Sequence, residues 1–137
     1  STSIKKMNAL AKEFHVHIVY GMAEKEEDIL YNSQFFIDDT GVLLGTYRKV
    51  HLFDSEKNYF TPGDQFKVFN TKIGRIGLFI CYDAFFPEAA RSLAIQGVDL
   101  LVNSTNWEKP YDYDIAKQMK HDYYTMLTER RPDVYIA

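Results

Sequence analysis

Residues 75–88 read Arg-Ile-Gly-Leu-Phe-Ile-Cys-Tyr-Asp-Ala-Phe-Phe-Pro-Glu, and no other stretch limits the possible folds as much. Leu78, Phe79 and Ile80 form a short apolar run that fits a buried strand. Pro87 suits the first turn of a helix, where its missing N–H is not needed, and Glu88 to Gln96 is rich in helix formers. The only cysteine, Cys81, falls at this strand-to-helix junction. A side chain there is lifted above the sheet edge, beside the N–H groups of a helix start. Those groups favour negative charge, so a thiolate and a developing oxyanion would both be stabilised. The same position also suits a small buried hydrophobe, the common use of a free cysteine. Position alone leaves both readings open.

The rest of the chain supplies elements that a sheet through this junction can use. Ser1 to Ser3 can cap a helix with Ile4, Met7, Leu10, Ala11 and Phe14 on one face. His15 to Met22 alternates as a strand, with His15 and His17 on a shared face. Two histidines at that spacing can bind metal, but no third ligand is near, and packing or exposure is the ordinary alternative. Glu24 to Asp28 reads as a solvated hairpin loop, and Ile29 to Ile37 as a second strand. Asp38-Asp39-Thr40-Gly41 is a turn into a third strand, Val42 to Arg48. Lys49 to Gly63 is a long connection, and such loops are often functional. Phe66 to Phe69 and Arg75 to Ile80 flank a turn at Thr71 to Gly74 and pair as a hairpin. After the helix that starts at Pro87, Gly97 is the stop and Val98 to Val102 a further strand, completing a strand–helix–strand crossover. Asn103 to Asp112 is a polar-aromatic loop, Asp114 to Arg130 a helix ended by Pro132, and Val134 to Ala137 begins another strand. The pattern predicts a mixed sheet flanked by helices, in the α/β or α+β class.

Composition sets the outer bounds. A chain of 137 residues with 10 Tyr, 10 Phe and one Trp is one domain or part of one, with enough apolar surface for a core. Its net charge of -3 argues against a nucleic-acid or anionic-membrane surface. A single cysteine makes no internal disulfide, no apolar run is long enough to span a bilayer, and the N-terminus lacks the apolar core of a signal peptide. A cytoplasmic protein is the expectation.

A cysteine hydrolase needs a thiolate, a proton shuttle, and cationic or N–H groups at the oxyanion position. His51 and His121 fall in no motif that assigns them the base role. Lys49 and Glu56 are better placed, both in the long loop before the cysteine strand. A lysine there could stabilise a tetrahedral oxyanion and a carboxylate could carry protons, although a loop Lys or Glu is ordinarily just solvated.

The order of the pieces adds to this. Tyr47-Arg48-Lys49-Val50-His51-Leu52-Phe53, then Glu56, Tyr59-Phe60-Thr61-Pro62-Gly63-Asp64, Ile80-Cys81-Tyr82-Asp83 and Phe86-Pro87-Glu88 resemble the nitrilase, or carbon–nitrogen hydrolase, family. Val98-Asp99-Leu100-Leu101-Val102-Asn103 followed by Trp107 fits as well, so the resemblance runs over essentially the whole chain. It implies a four-layer α-β-β-α sandwich with a Glu-Lys-Cys catalytic set, and neither metal nor organic cofactor. Cys81 would attack an amide or nitrile carbon to give a thioester or thioimidate. Lys49 and the backbone N–H of Tyr82 would stabilise the tetrahedral intermediate, and Glu56 would position the lysine and the substrate. Tyr82-Asp83 after the cysteine resembles the amidase and carbamoyl-hydrolase branches; dedicated nitrilases usually carry Trp-Glu there. Trp107 and Phe53 are candidate pocket walls, or simply pack under their loops. Asp83 and Glu88 are expected to be structural, pairing with basic groups such as Arg91. A homodimer or larger assembly is implied, with the helix from Asp114 at its interface.

One departure stands out. The family's general-base glutamate lies on a strand upstream of the helix that opens this chain, and neither Glu13 nor Glu24 falls in the matching element. The family also continues beyond Ala137. The expectation is therefore a single domain, residues 1–137, incomplete at both ends and inactive by itself. A non-catalytic binding module is the alternative. A nucleotide-binding domain is disfavoured because Gly74 and Gly77 precede the βα turn, and a redox thiol because there is no resolving cysteine.

Overall fold

The computed structural model describes residues 2–106 and 135–136, in two compact units, Ser1–Gln65 and Phe66–Ala137. The first unit opens with helix α1 (Thr2–Phe14), followed by strands β1 (Ile18–Glu26), β2 (Ile29–Ile37) and β3 (Leu43–Arg48) in an antiparallel meander ordered β1-β2-β3. The helix and meander are those the periodicity predicts, but the boundaries move. His15 takes a left-handed conformation (φ 52°) and the Val16 N–H bonds back to the Ala11 carbonyl, which closes α1. The strand therefore starts only at Ile18, and His15 and His17 do not share a strand face. Its other end runs through Glu26, so Glu24, read from sequence as part of a solvated loop, sits within β1 opposite Tyr31. The turn there is tight, at Glu27 and Asp28, because Glu27 adopts φ 52°.

As the central strand, β2 is buried on both faces from Ser33 to Ile37. The Asp38 carboxylate closes the next turn, accepting the N–H groups of Thr40 and Val42 at 2.9 Å each. Pairing then skips one residue: Ile37 faces Leu43 and Phe36 faces Gly45, leaving Leu44 as the extra residue of a β-bulge. Beyond it the register is regular, with Ser33 opposite Arg48.

The second unit contains β4 (Val68–Thr71), β5 (Gly74–Ile80), a 3₁₀ turn (Cys81–Phe85), helix α2 (Pro87–Ile95), β6 (Leu100–Ser104) and β7 (Tyr135–Ile136). They form a sheet ordered β4-β5-β6-β7, antiparallel between β4 and β5 and parallel thereafter. The predicted hairpin and crossover are both present. β5 is buried from Ile76 to Ile80, as a strand covered on both faces must be. Ala89, Ala90 and Leu93 form the buried face of α2, and Gly97 at φ 80° provides its left-handed stop.

The chain is thus α/β, but its strands divide into two sheets where the pattern alone predicted one mixed sheet. The reason lies in the connector after β3. It bonds back to its own unit, with the Thr61 N–H donating to the Leu30 carbonyl and the Gly63 N–H to the Lys49 carbonyl. The helix expected over 114–130 lies outside the described residues, as does Trp107. No helix among the described residues is long and apolar enough to cross a membrane.

Candidate active site

The candidate residues fall in both units, and each group is built locally. In the first unit the starting point is the end of β3, where side chains alternate between faces. Arg48, paired with Ser33, points to one face; Lys49 continues past the strand, its N–H donating to the Asn32 carbonyl at 2.8 Å, and points to the other.

Lys49 is 2% exposed, although it lies in a connection where a lysine is ordinarily solvated. Its Nζ donates to Glu56 Oε2 at 2.7 Å. Glu56 lies in a 3₁₀ turn (Asp54–Asn58), at the third position after the capping residue Phe53. From there its Oε2 also accepts the Phe53 N–H at 2.7 Å, the reach-back half of a capping box. Its Oε1 accepts from Asn32 Nδ2 at 2.9 Å. Burial pushes the Glu56 carboxyl up, but the bonds from Lys49 and the Phe53 N–H, the Lys49 charge and the Asn32 bond outweigh it and hold it below the usual carboxylate range. The result is an ionised carboxylate holding a buried ammonium in one orientation. The connector closes over this lysine through Gly63, where a Cβ would collide with the Arg48 carbonyl; only glycine allows that approach. Phe53, read as a pocket wall, has an exposed side chain, while its N–H serves Glu56.

The other face of the sheet carries an ion cluster that sequence reading missed. Arg48 donates to Glu24 through Nε (2.9 Å) and Nη2 (2.8 Å), lies 3.0 Å from Glu26, and covers the Tyr31 ring at 3.8 Å. Ser33 Oγ adds a bond to Glu24 at 2.7 Å. The Arg48 hydrogen bond holds the Glu24 carboxyl below its ordinary value despite partial burial. A carboxyl so depressed stabilises the fold above its unfolded-state pKa and loses that contribution as pH falls through its folded-state value. Glu24→Gln is expected to lower unfolding stability by about 1–3 kcal/mol at pH 7. In urea titrations the gap to wild type should close toward pH 3; an equal gap at both pH values would mean the Glu24 charge is not what stabilises.

In the second unit the site is the end of β5. Cys81 is half-buried and adopts φ 44°, a left-handed conformation that costs a residue with a Cβ about 1–3 kcal/mol. Two hydrogen bonds hold it. The Cys81 N–H donates to Asn103 Oδ1 on the adjacent strand β6 at 2.7 Å, and the preceding Ile80 N–H donates to Asp83 Oδ2 at 2.9 Å. Asp83 is wholly buried, so the structural role expected of it is met through the main chain. It occupies the same third position in its 3₁₀ turn as Glu56 does in the other. Helix α2 starts at Pro87, as expected; the N–H groups next to the thiol belong to the turn Cys81–Phe85 and not to that helix start. The Tyr82 ring is held by Phe85 and, edge-on, by Phe86, at 5.3 and 5.2 Å between centroids.

The structure thus brings Lys49 and Glu56 together, with Phe53 adjoining, and sets Cys81 and Tyr82 at a strained elbow. Two side chains that hold these groups, Asn32 and Asn103, carried no assigned role in the sequence. A βαβ register would have put Asn103 beside Cys81, whereas Asn32 could be found only with the bulge in β3 known.

The sequence profile of the carbon-nitrogen hydrolase family matches residues 1–126, and the chain belongs to that family. A protein of Schizosaccharomyces pombe described as a probable nitrilase is 49% identical over 123 residues, covering 86% of this chain and 45% of its own. The N-carbamoylputrescine amidase of Solanum lycopersicum is 47% identical over 108 residues, covering 75% of this chain and 36% of its own. Among solved structures, a mutant of the amidase from Nesterenkonia sp. AN1, showing the result of Michael addition of acrylamide at its active-site cysteine, superimposes with a TM-score of 0.74 at 25% identity. That match covers 80% of this chain and 44% of the amidase. The chain therefore spans less than half the length of these relatives.

Proposed function

We propose that this chain carries the nucleophile and the oxyanion-stabilising lysine of an amidase acting on small amides or N-carbamoyl amines, with nitriles as the related substrate class. The observation that carries the reading is Cys81, held at φ 44° at the end of β5 in a chain of this family. A thiol raised on such an elbow is offered for attack, where a packing cysteine would need no strained backbone. The cysteine adduct in the Nesterenkonia amidase and the carbamoyl substrate in the name of the tomato relative support the same chemistry.

In this mechanism the Cys81 thiolate adds to the amide carbon, and the carbonyl oxygen becomes an oxyanion. The Lys49 ammonium, oriented by Glu56, and the Tyr82 N–H stabilise that charge; the Cys81 N–H, engaged by Asn103, does not take part. The C–N bond breaks as the leaving nitrogen takes a proton, giving a thioester and free ammonia or amine. Water then adds to the thioester, the C–S bond breaks, and the acid and the thiol are released. Activating that water needs a general base, and no glutamate of this sequence matches the family's base. We accordingly assign turnover to the protein made from the full coding sequence, as a homodimer or larger assembly, and none to residues 1–137 alone.

The test is a panel of aliphatic amides, N-carbamoyl amines and nitriles given to that full-length protein, with ammonia release and intact mass followed together. Turnover with an acyl adduct on the Cys81 peptide is expected. Substrates consumed without any adduct on Cys81, or none consumed at all, would sink the proposal.

A further inference from the structure

We infer that Asn32 is a positioning residue for the Lys49–Glu56 pair, holding the lysine through its main chain and the carboxylate through its side chain. Its catalytic consequence rests on the proposed amidase reading; its geometry does not. Three facts meet at this residue. Its carbonyl accepts the Lys49 N–H at 2.8 Å, fixing the lysine's backbone to the central strand. Its Nδ2 donates to Glu56 Oε1 at 2.9 Å. The other carboxylate oxygen, Oε2, takes both Lys49 Nζ and the Phe53 N–H.

Glu56 sits on a five-residue 3₁₀ turn within the connector, outside either sheet. The bonds to Oε2 leave the carboxylate free to pivot about that oxygen. The bond to Oε1 removes the pivot, because Asn32 belongs to a strand paired on both sides. A carboxylate accepts and never donates when ionised, so the group facing Oε1 must be the amide nitrogen. The plane of the Glu56 carboxylate, and with it the direction in which Lys49 presents its remaining N–H bonds, is set from β2. Among the described residues, Asn32 bonds to Glu56 through its side chain and to Lys49 through its carbonyl; Glu24, Glu26 and Arg48 cluster with Ser33 and Tyr31 on the opposite face of the sheet.

The experiment uses Asn32→Ala and Asn32→Asp in the full-length protein, with Lys49→Ala for comparison. Asn32→Ala should lower kcat roughly 10- to 100-fold through misplacement of the lysine, with KM changed less than threefold and cooperative unfolding retained. Asn32→Asp places a second carboxyl against Glu56 Oε1. At low pH the two carboxyls share a proton and the hydrogen bond survives; as pH rises both ionise and repel. That variant should therefore gain an alkaline loss of kcat/KM in a range where wild type is flat. A structural filler would lose activity equally at every pH. Exchange of the Lys49 ammonium protons with solvent, followed by ¹⁵N-edited NMR, gives a readout independent of turnover. It should accelerate severalfold in Asn32→Ala. Unchanged exchange together with wild-type kcat would overturn the inference. Accelerated exchange in a protein that hydrolyses no amide would leave the positioning role standing and remove the amidase reading.

Discussion

Cys81→Ala is expected to bring amide hydrolysis by the full-length protein to background, a loss on the order of 10⁴-fold or more, while the fold remains. The two halves of that expectation have separate origins. Activity is lost because the sulfur proposed to form the acyl intermediate is gone. The fold survives because alanine, like cysteine, carries a Cβ into the left-handed backbone, so the strain at φ 44° is unchanged, and the N–H still reaches Asn103. Cys81→Gly sharpens the point. Glycine relieves the strain, so this variant should be equally inactive yet no less stable than Cys81→Ala, by about 1 kcal/mol in its favour. Denaturant titration of the two variants beside wild type checks this, and Cys81→Ala turning over substrate near the wild-type rate would remove Cys81 as nucleophile.

Lys49→Ala should cost roughly 10²–10³ in kcat/KM, the scale of losing one oxyanion donor in a water-poor site. Lys49→Met, which keeps the volume of the buried stem, separates charge from packing. If the ammonium is what matters, both variants lose the same factor; if burial of the stem matters, Lys49→Met is spared. Either change also leaves Glu56 without its cation. In wild type the Glu56 carboxyl is held low, so it stabilises the fold above its unfolded-state pKa and that contribution disappears as pH falls through the folded-state value. With the ammonium gone, desolvation opposes ionisation with less to offset it, and the acid-side loss of stability should shrink. Kinetics within threefold of wild type for both variants would make Lys49 a structural cation only.

The sequence announced the local elements around Cys81 well because each carries its own punctuation: Pro87 opens α2, Gly97 closes it, and the apolar run 78–80 can only be covered strand. Spaced motifs singled out Lys49, Glu56 and Cys81 as the residues proposed for the chemistry, yet their surroundings were hidden. Burial of Lys49 depends on Gly63 folding the connector back, which no periodicity encodes. Glu24 looked solvated because it stands among charges; its partner Arg48 is 24 residues away and meets it only across two strand pairings. Periodicity alone did not divide the strands into two sheets; the family resemblance did, through the α-β-β-α sandwich it implies. Strand patterns report which face is buried, and they do not name the neighbouring strand.

The bulge at Leu44 settles a choice that electrostatics would leave open. Were Leu44 paired regularly, every later residue of β3 would change sides: Arg48 would stand opposite Asn32 and Lys49 opposite Tyr31. Each cation would then stand on the face that carries the other's carboxylate, Arg48 on that of Glu56 and Lys49 on that of Glu24. The misregistered hairpin is thus a decoy that charge alone does not reject, and it puts a guanidinium on the face of the ammonium. Parity, set by the count of paired residues between Leu43 and Arg48, selects between the two arrangements. Deleting Leu44 preserves that parity and should leave Lys49 on Glu56; adding one residue to regular pairing after the bulge should exchange the two cations. The Lys49 ammonium resonance would report which neighbour it has. What the hairpin transmits to the site is an odd or even number.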